Sequence, residues 1–299
     1  MHIKRFEGIY TPTITPLDEN EHIDEKAFAR HLDRLIDNGI HGIWLLGTSG
    51  EYVALTDEQR KLAIQVAVDR VNGRIPIICG TMDSSTKRVV RNVEIAQKLG
   101  VDAVAMTPPY YYPPNSDADI IAFYKSVAAS TDLPVVIYNI PQMTKVMVKA
   151  EVADELNATV ENIVGIKDSS GSWENFLKML AYMGNDEGFS ILIGSYLLAG
   201  AAITLGAEGG VVSISNVDPK TPVKMYEAAK AKKINELNEL QFRILKLGKL
   251  YTYGSPISCL KTCLEIMGLC RAYTTSPLLP IDEKGRSELK ALLEEHNLC

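Results

Sequence analysis

Eight short apolar runs recur along the chain, each followed by a longer amphipathic stretch, and this alternation restricts the fold more than any other feature. The runs cover residues 8–13, 42–46, 75–79, 103–107, 134–138, 163–167, 190–193 and 210–214. Each lacks polar alternation, as a strand covered on both faces must. Between them, residues 24–38 place Phe28, Leu32, Leu35 and Ile36 on one helical face. Thr56 to Gln59 reads as a capping start ahead of Leu62, Ile64 and Val66. Helical patterns continue over 84–99, 117–130, 149–156, 173–183 and 196–205. A strand–helix unit every ~20 to 35 residues is the rhythm of a parallel sheet. Eight such units in roughly 230 residues predict an α/β fold, a closed (β/α)8 or TIM barrel. The rival, a doubly wound open sheet, would want a glycine-rich first turn, whereas residues 8–17 are rich in Pro and Thr. After Asp218 the strands stop, and residues 222–232, 235–247, 257–267 and 283–295 read as helices. The expected organisation is a barrel over residues 1–232, carrying the active site, and a C-terminal helical appendage over 233–299.

Composition narrows the partners. The 299 residues are 46% hydrophobic and 23% charged, with a net charge of −6. That balance suits a globular chain and gives no basic face for nucleic acid. No apolar run is long enough to span a membrane, and residues 1–6 contain no signal-peptide core, so the cytoplasm is the expected location. The five cysteines, at 79, 259, 263, 270 and 299, are odd in number and sparse, which suits reduced, buried thiols. The histidines at 2, 22, 31, 41 and 296 have no ligand spacing, so neither metal nor cofactor is expected.

In such a barrel the chemistry gathers where the strands end. Lys167 closes the sixth run, Ile163-Val164-Gly165-Ile166, and is the only lysine so placed. An ammonium there is desolvated, which lowers its pKa toward the neutral amine that attacks carbonyls. A lysine merely paired with Asp168 is the plainer alternative. Tyr138 closes the neighbouring run, where a phenol can relay protons to an imine. After the second run, Gly47-Thr48-Ser49-Gly50 offers hydroxyls and free N–H groups and precedes a helical pattern, a seat for a carboxylate or phosphate. It is no P-loop, and 206–210 contain no dinucleotide fingerprint. Tyr110-Tyr111-Tyr112, between prolines, reads as a stiff loop presenting aromatics. An amine, a phenol and an anion seat together suit 2-oxo acid chemistry through a Schiff base.

These residues give the chain a specific resemblance. It resembles the dihydrodipicolinate synthase/N-acetylneuraminate lyase family of class I aldolases, nearly end to end. The matching segments are Thr11-Pro12 through Thr15-Pro16-Leu17, Gly47-Thr48-Ser49-Gly50-Glu51, Pro108-Pro109-Tyr110-Tyr111-Tyr112, Tyr138-Asn139-Ile140-Pro141, Gly165-Ile166-Lys167-Asp168 and Pro277-Leu278-Leu279-Pro280. The resemblance implies a homotetramer built as a dimer of dimers, with Lys167 as the Schiff-base lysine and Tyr138 as the proton shuttle. It implies that Thr48 links Tyr138 to Tyr111, which in many members reaches in from a neighbouring subunit. Thr48 and Ser49 would hold the pyruvyl carboxylate, and the Val212 carbonyl would lie near it.

Departures from the family pattern bear on the second substrate. Dihydrodipicolinate synthases usually carry an Arg two residues after the Pro of Tyr-Asn-x-Pro; here Met143 stands there, and Lys145 stands where Gly is usual. After Gly194, sialic acid lyases carry an acidic pair, whereas this chain reads Ser195-Tyr196-Leu197. The expectation is a lyase that joins or splits pyruvate and an aldehyde, with a 2-keto-3-deoxy or hydroxy-oxo acid type substrate. Dihydrodipicolinate synthase is the alternative inside the class, and a non-catalytic pyruvate-binding barrel the alternative outside it.

Overall fold

The computed structural model describes residues 5–299. Its strands are β1 (Gly8–Pro12), β2 (Gly42–Leu45), β3 (Ile77–Gly80), β4 (Ala103–Met106), β5 (Val135–Asn139), β6 (Ile163–Asp168), β7 (Ser190–Ile193) and β8 (Gly209–Val211). Each pairs in parallel with the next, and β8 pairs with β1, so the sheet closes into a barrel with no open edge. The (β/α)8 expectation holds; the open sheet does not.

Helices α1 (Glu25–Asp37), α2 (Asp57–Val71), α3 (Thr86–Leu99) and α4 (Asp117–Ala128) follow the first four strands. A four-residue helix, α5 (Pro141–Thr144), precedes α6 (Ala150–Thr159) after β5. Then come α7 (Trp173–Met183), α8 (Ala199–Thr204) and α9 (Lys220–Lys230). Helices α10 (Ile234–Leu247), α11 (Pro256–Ile266) and α12 (Glu283–Glu295) form the C-terminal region. Local chemistry sets the helix starts. Asp24 caps α1 through the Ala27 N–H, and Thr56 with Gln59 forms a full capping box on α2. Ser116 and Asp119 do the same for α4.

The last strand departs from expectation. The run 210–214 promised a strand through Ile214, but β8 ends at Val211 and Ser213–Asn216 form a 3-10 turn. Asn216 explains this. Its amide donates to the Pro12 and Ser213 carbonyls and accepts from the Ile14 N–H and His31 Nε2. A side chain thus ties β8 to the end of β1, where a longer ladder would otherwise run. Helix α8 is also shorter than the pattern over 196–205. Gln241 of α10 accepts from the Gly200 N–H and donates to the Tyr196 carbonyl, which holds residues before α8 out of the helix.

Candidate active site

Strand register brings the two predicted reactive side chains together. Tyr138 on β5 and Lys167 on β6 are paired in the ladder, as are Asn139 and Asp168 one position later. Paired positions face the same side and successive ones alternate. Lys167 and Tyr138 therefore turn into the barrel together, and Asp168 and Asn139 turn away from it. The Asn139 amide donates to Asp168 Oδ1 at 2.6 Å and the Ser170 hydroxyl donates to Oδ2 at 2.9 Å. Asp168 is thus occupied on the far side of the strand, and the plain Lys167–Asp168 ion pair is not present.

Lys167 is 3% exposed. Burial pulls its ammonium down to about 7, and no carboxylate among the described residues offsets that loss of hydration. Its Nζ lies 4.0 Å from the centroid of the Tyr138 ring and 4.5 Å from that of Trp44, which β2 contributes. Burial pushes the Tyr138 phenol up, and hydrogen bonds with Thr48 and Ser169 offset only part of the rise. The phenol therefore keeps its proton at neutral pH. Thr48 Oγ1 sits 3.3 Å from the Tyr138 hydroxyl.

Residues Gly47–Gly50 turn tightly, with the Gly50 N–H donating to the Gly47 carbonyl and the Glu51 N–H to that of Thr48. Within the described residues the N–H groups of Thr48 and Ser49 donate to no protein acceptor, which leaves them for an anion. Helix α2 begins only at Asp57, so the seat is a turn and not a helix N-terminus as the pattern suggested. Glu51, at φ +58°, anchors it from below. Its buried carboxylate lies 2.5 Å from Lys261 Nζ of α11 and accepts from the Thr275 N–H and hydroxyl.

The remaining predicted residues lie elsewhere. Tyr111 is 83% exposed at φ +74°, packs edge-on against Tyr112, and makes no hydrogen bond within the described residues. Met143, on α5, is 62% exposed, and the Lys145 ammonium nearby donates to the Gln142 carbonyl. Val212 is buried, and its carbonyl already accepts from the Ser215 N–H and hydroxyl. The Gly194 N–H donates to the Asp168 carbonyl at 2.7 Å. A Cβ on Gly194 would stand 1.9 Å from Ser169 Oγ, so only glycine leaves that hydroxyl its place. Sequence reasoning passed over Ser169, Trp44 and the Tyr251 hydroxyl, which meets Ser213 Oγ at 2.6 Å beside the ring of Tyr196. The signal for Ser169 was its position just beyond Lys167; Tyr251 comes from the C-terminal region, which no motif links to the barrel mouth.

The family model described as Dihydrodipicolinate synthetase family matches residues 5–296. The chain belongs to that family. The 4-hydroxy-tetrahydrodipicolinate synthase of Bartonella bacilliformis is 33% identical over 295 residues, 97% of this chain and 98% of the relative. The enzyme of the same name from Polynucleobacter asymbioticus is 32% identical over 99% of this chain and 96% of its own length. Among solved structures, YagE, a prophage protein of the dihydrodipicolinic acid synthase family from E. coli K12 in complex with pyruvate, is similar with a TM-score of 0.94. The identity is 28%, over 98% of this chain and 99% of that one. Dihydrodipicolinate synthase from Aquifex aeolicus is similar at a TM-score of 0.92 and 30% identity, over 98% and 99% of the two chains. The protein is therefore an enzyme, a lyase of the class I aldolase type.

Proposed function

We propose that Lys167 condenses with pyruvate, or a related 2-oxo acid, and that a C–C bond to an aldehyde is then made or broken. The observation that carries this reading is the buried Lys167 amine, free of any carboxylate partner, held in register beside the Tyr138 phenol. The neutral amine attacks the C2 carbonyl. Tyr138 protonates the carbinolamine oxygen, which leaves as water and gives an iminium. The Tyr138 phenolate takes a C3 proton to give the enamine, whose C3 attacks the aldehyde carbon. The restored Tyr138 phenol protonates the new alkoxide, and water then cleaves the product iminium, which frees the Lys167 amine and returns a proton to Tyr138. The Thr48 and Ser49 N–H groups and hydroxyls bind the oxo acid carboxylate. Thr48 also passes protons between Tyr138 and Tyr111, which we read as entering from a neighbouring subunit of a homotetramer. The exposure of the Tyr111 ring on this chain supports that reading.

For the second substrate we propose a 2-keto-3-deoxy or hydroxy-oxo acid type, with a smaller or less polar aldehyde than aspartate semialdehyde. Met143 supports this. A distant carboxylate is selected best by a charged donor, above all the bidentate fork of Arg. Met143 has none, and Lys145 is spent on a carbonyl of its own turn. An aldehyde carrying a second carboxylate therefore gains no charge-assisted pairing from either residue. The second reading, 4-hydroxy-tetrahydrodipicolinate synthase, is favoured by the names of the relatives. Two measurements test the proposal. Borohydride with pyruvate should add the reduced pyruvyl mass at Lys167, and Lys167→Ala should lose both adduct and turnover; an adduct on another lysine would sink the mechanism. Comparison of kcat/KM for aspartate semialdehyde, N-acetylneuraminate and a short 2-keto-3-deoxy sugar acid should favour the last. Met143→Arg should then improve aspartate semialdehyde. Efficient use of aspartate semialdehyde by the unaltered enzyme would restore the synthase reading.

A further inference from the structure

We propose that Trp44 is a catalytic residue of this enzyme: its indole face, with the ring of Tyr138, stabilises the cationic imine on Lys167. The inference rests on the Schiff-base reading given above. Trp44 is wholly buried, near the end of β2. Lys167 Nζ lies against both rings, at 4.5 Å and 4.0 Å from their centroids. The two rings meet edge to face, 5.4 Å apart at 75°, so each fixes the tilt of the other. A Cβ on Gly47 would lie 2.9 Å from the indole Cδ1, so the glycine that opens the anion turn also leaves room for the indole.

The charge balance explains what the rings contribute. The Nζ lone pair forms the N–C bond to C2 of the oxo acid. The carbinolamine oxygen leaves as water after taking a proton through Tyr138. The C=N group that remains carries one positive charge, where a neutral amine and a neutral carbonyl stood before. An aromatic face attracts a cation and is nearly indifferent to a neutral amine. It therefore favours the step that creates the charge, which is the differential binding that speeds a reaction. A carboxylate in the same place would attract the cation more strongly. It would also hold the free lysine as an ammonium, and an ammonium has no lone pair with which to attack. Two ring faces give a weaker attraction that leaves the amine able to lose its proton.

The indole nitrogen gives independent support. Trp44 Nε1 is buried without a hydrogen-bond partner among the described residues. An unmet buried donor destabilises the folded chain, a cost that Phe or Leu would not carry. What indole offers over either is the larger and more electron-rich face.

The test exploits the two tryptophans of the chain. The other, Trp173, lies on α7, stacked on Phe176. In a Trp173→Phe background, biosynthetic incorporation of indoles bearing one to four fluorines alters position 44 alone. Fluorine barely changes the shape but drains the negative face. Intact mass after borohydride treatment, over a range of pyruvate concentrations, gives the imine equilibrium, and melting temperatures establish that each labelled protein is folded. The concentration for half-trapping should rise steadily along the series, in total roughly two- to tenfold. A flat series with a normal adduct overturns the role of Trp44 and leaves the aldolase reading standing. Tighter trapping also overturns it, because fluorine strengthens the indole N–H as a donor and would mark that N–H as the acting group. Absence of any adduct in the unlabelled enzyme, with pyruvate or another 2-oxo acid, removes both readings.

Discussion

A fully charged lysine cannot attack a carbonyl, and the burial that frees Lys167 of its proton must weaken the folded state. Both consequences can be measured. The neutral fraction grows as pH rises through about 7. Imine formation at low pyruvate should therefore climb with pH, reach half its plateau near 7, and hold its level while Tyr138 stays protonated, as its raised pKa ensures. Rapid-quench trapping across pH reads this directly; a midpoint near the ordinary lysine value would place the reactive amine in water. Stability follows the same shift. Between pH 7 and the unfolded value of 10.5, the unfolded chain binds a proton that the folded chain does not, so stability rises with pH in that window. Below pH 7 both states are protonated and the cost of burying the charge is borne in full. Lys167→Met removes that cost. It should stabilise the inactive enzyme at pH 7 by about 2–4 kcal/mol in urea unfolding, with the gain shrinking toward pH 10. Lys167 and Tyr138 were legible in the sequence because a polar group that ends an apolar strand has few structural reasons to be there. Trp44 was not, because an aromatic inside a strand carries the same signature whether it packs a core or flanks a cation.

Elements were read well where local chemistry decides them and less well where a distant side chain does. The place of α1, the capped start of α2 and all eight strands follow from periodicity and capping alone. The early end of β8 and the short α8 depend on Asn216 and Gln241, whose partners lie far away in sequence. The Gly47–Gly50 turn has the same long-range dependence. Glu51 ties it to α11 through Lys261, which also donates to the Tyr273 carbonyl. Both charges are buried, at 1% and 0% side-chain exposure, so breaking the pair costs more than replacing it. Lys261→Met alone leaves the Glu51 carboxylate without its cation and should lose about 3 kcal/mol of stability. Lys261→Met with Glu51→Gln removes both charges and should regain most of that loss. Pyruvate half-saturation should move in parallel, weakened in the single variant and restored in the double one. Equal losses in single and double variants, measured by urea unfolding, would mean that the two charges do not act as a pair.

At the scale of the whole molecule, the closed sheet offers no strand edge for association, so any contact between copies must use helices and loops. The loop that carries Tyr111 and Tyr112 is the segment that most plainly invites such a contact. Both rings stand about four-fifths exposed, at 83% and 80%, and Tyr111 holds a left-handed backbone that is rare for a bulky residue. In the isolated chain Tyr111 makes no bond to Thr48, whereas Thr48 already holds Tyr138. A relay from Tyr138 through Thr48 to Tyr111 thus requires a second subunit to supply the last group. Subunit mixing tests this with variants that fold alike. Tyr111→Phe and Tyr138→Phe should each be nearly inactive alone. In a mixed dimer, the Tyr111→Phe subunit keeps its own Tyr138 and borrows the intact Tyr111 of its partner, so one of the two sites is whole. Random mixing in equal amounts makes half of the dimers mixed, with one working site in each pair. Activity should return to about a quarter of the wild-type rate. If native mass spectrometry finds the mixed dimers and no activity returns, Tyr111 does not act across the interface, and the relay must end on a group of the same chain, for which the Ser169 hydroxyl, a partner of Tyr138, is a candidate.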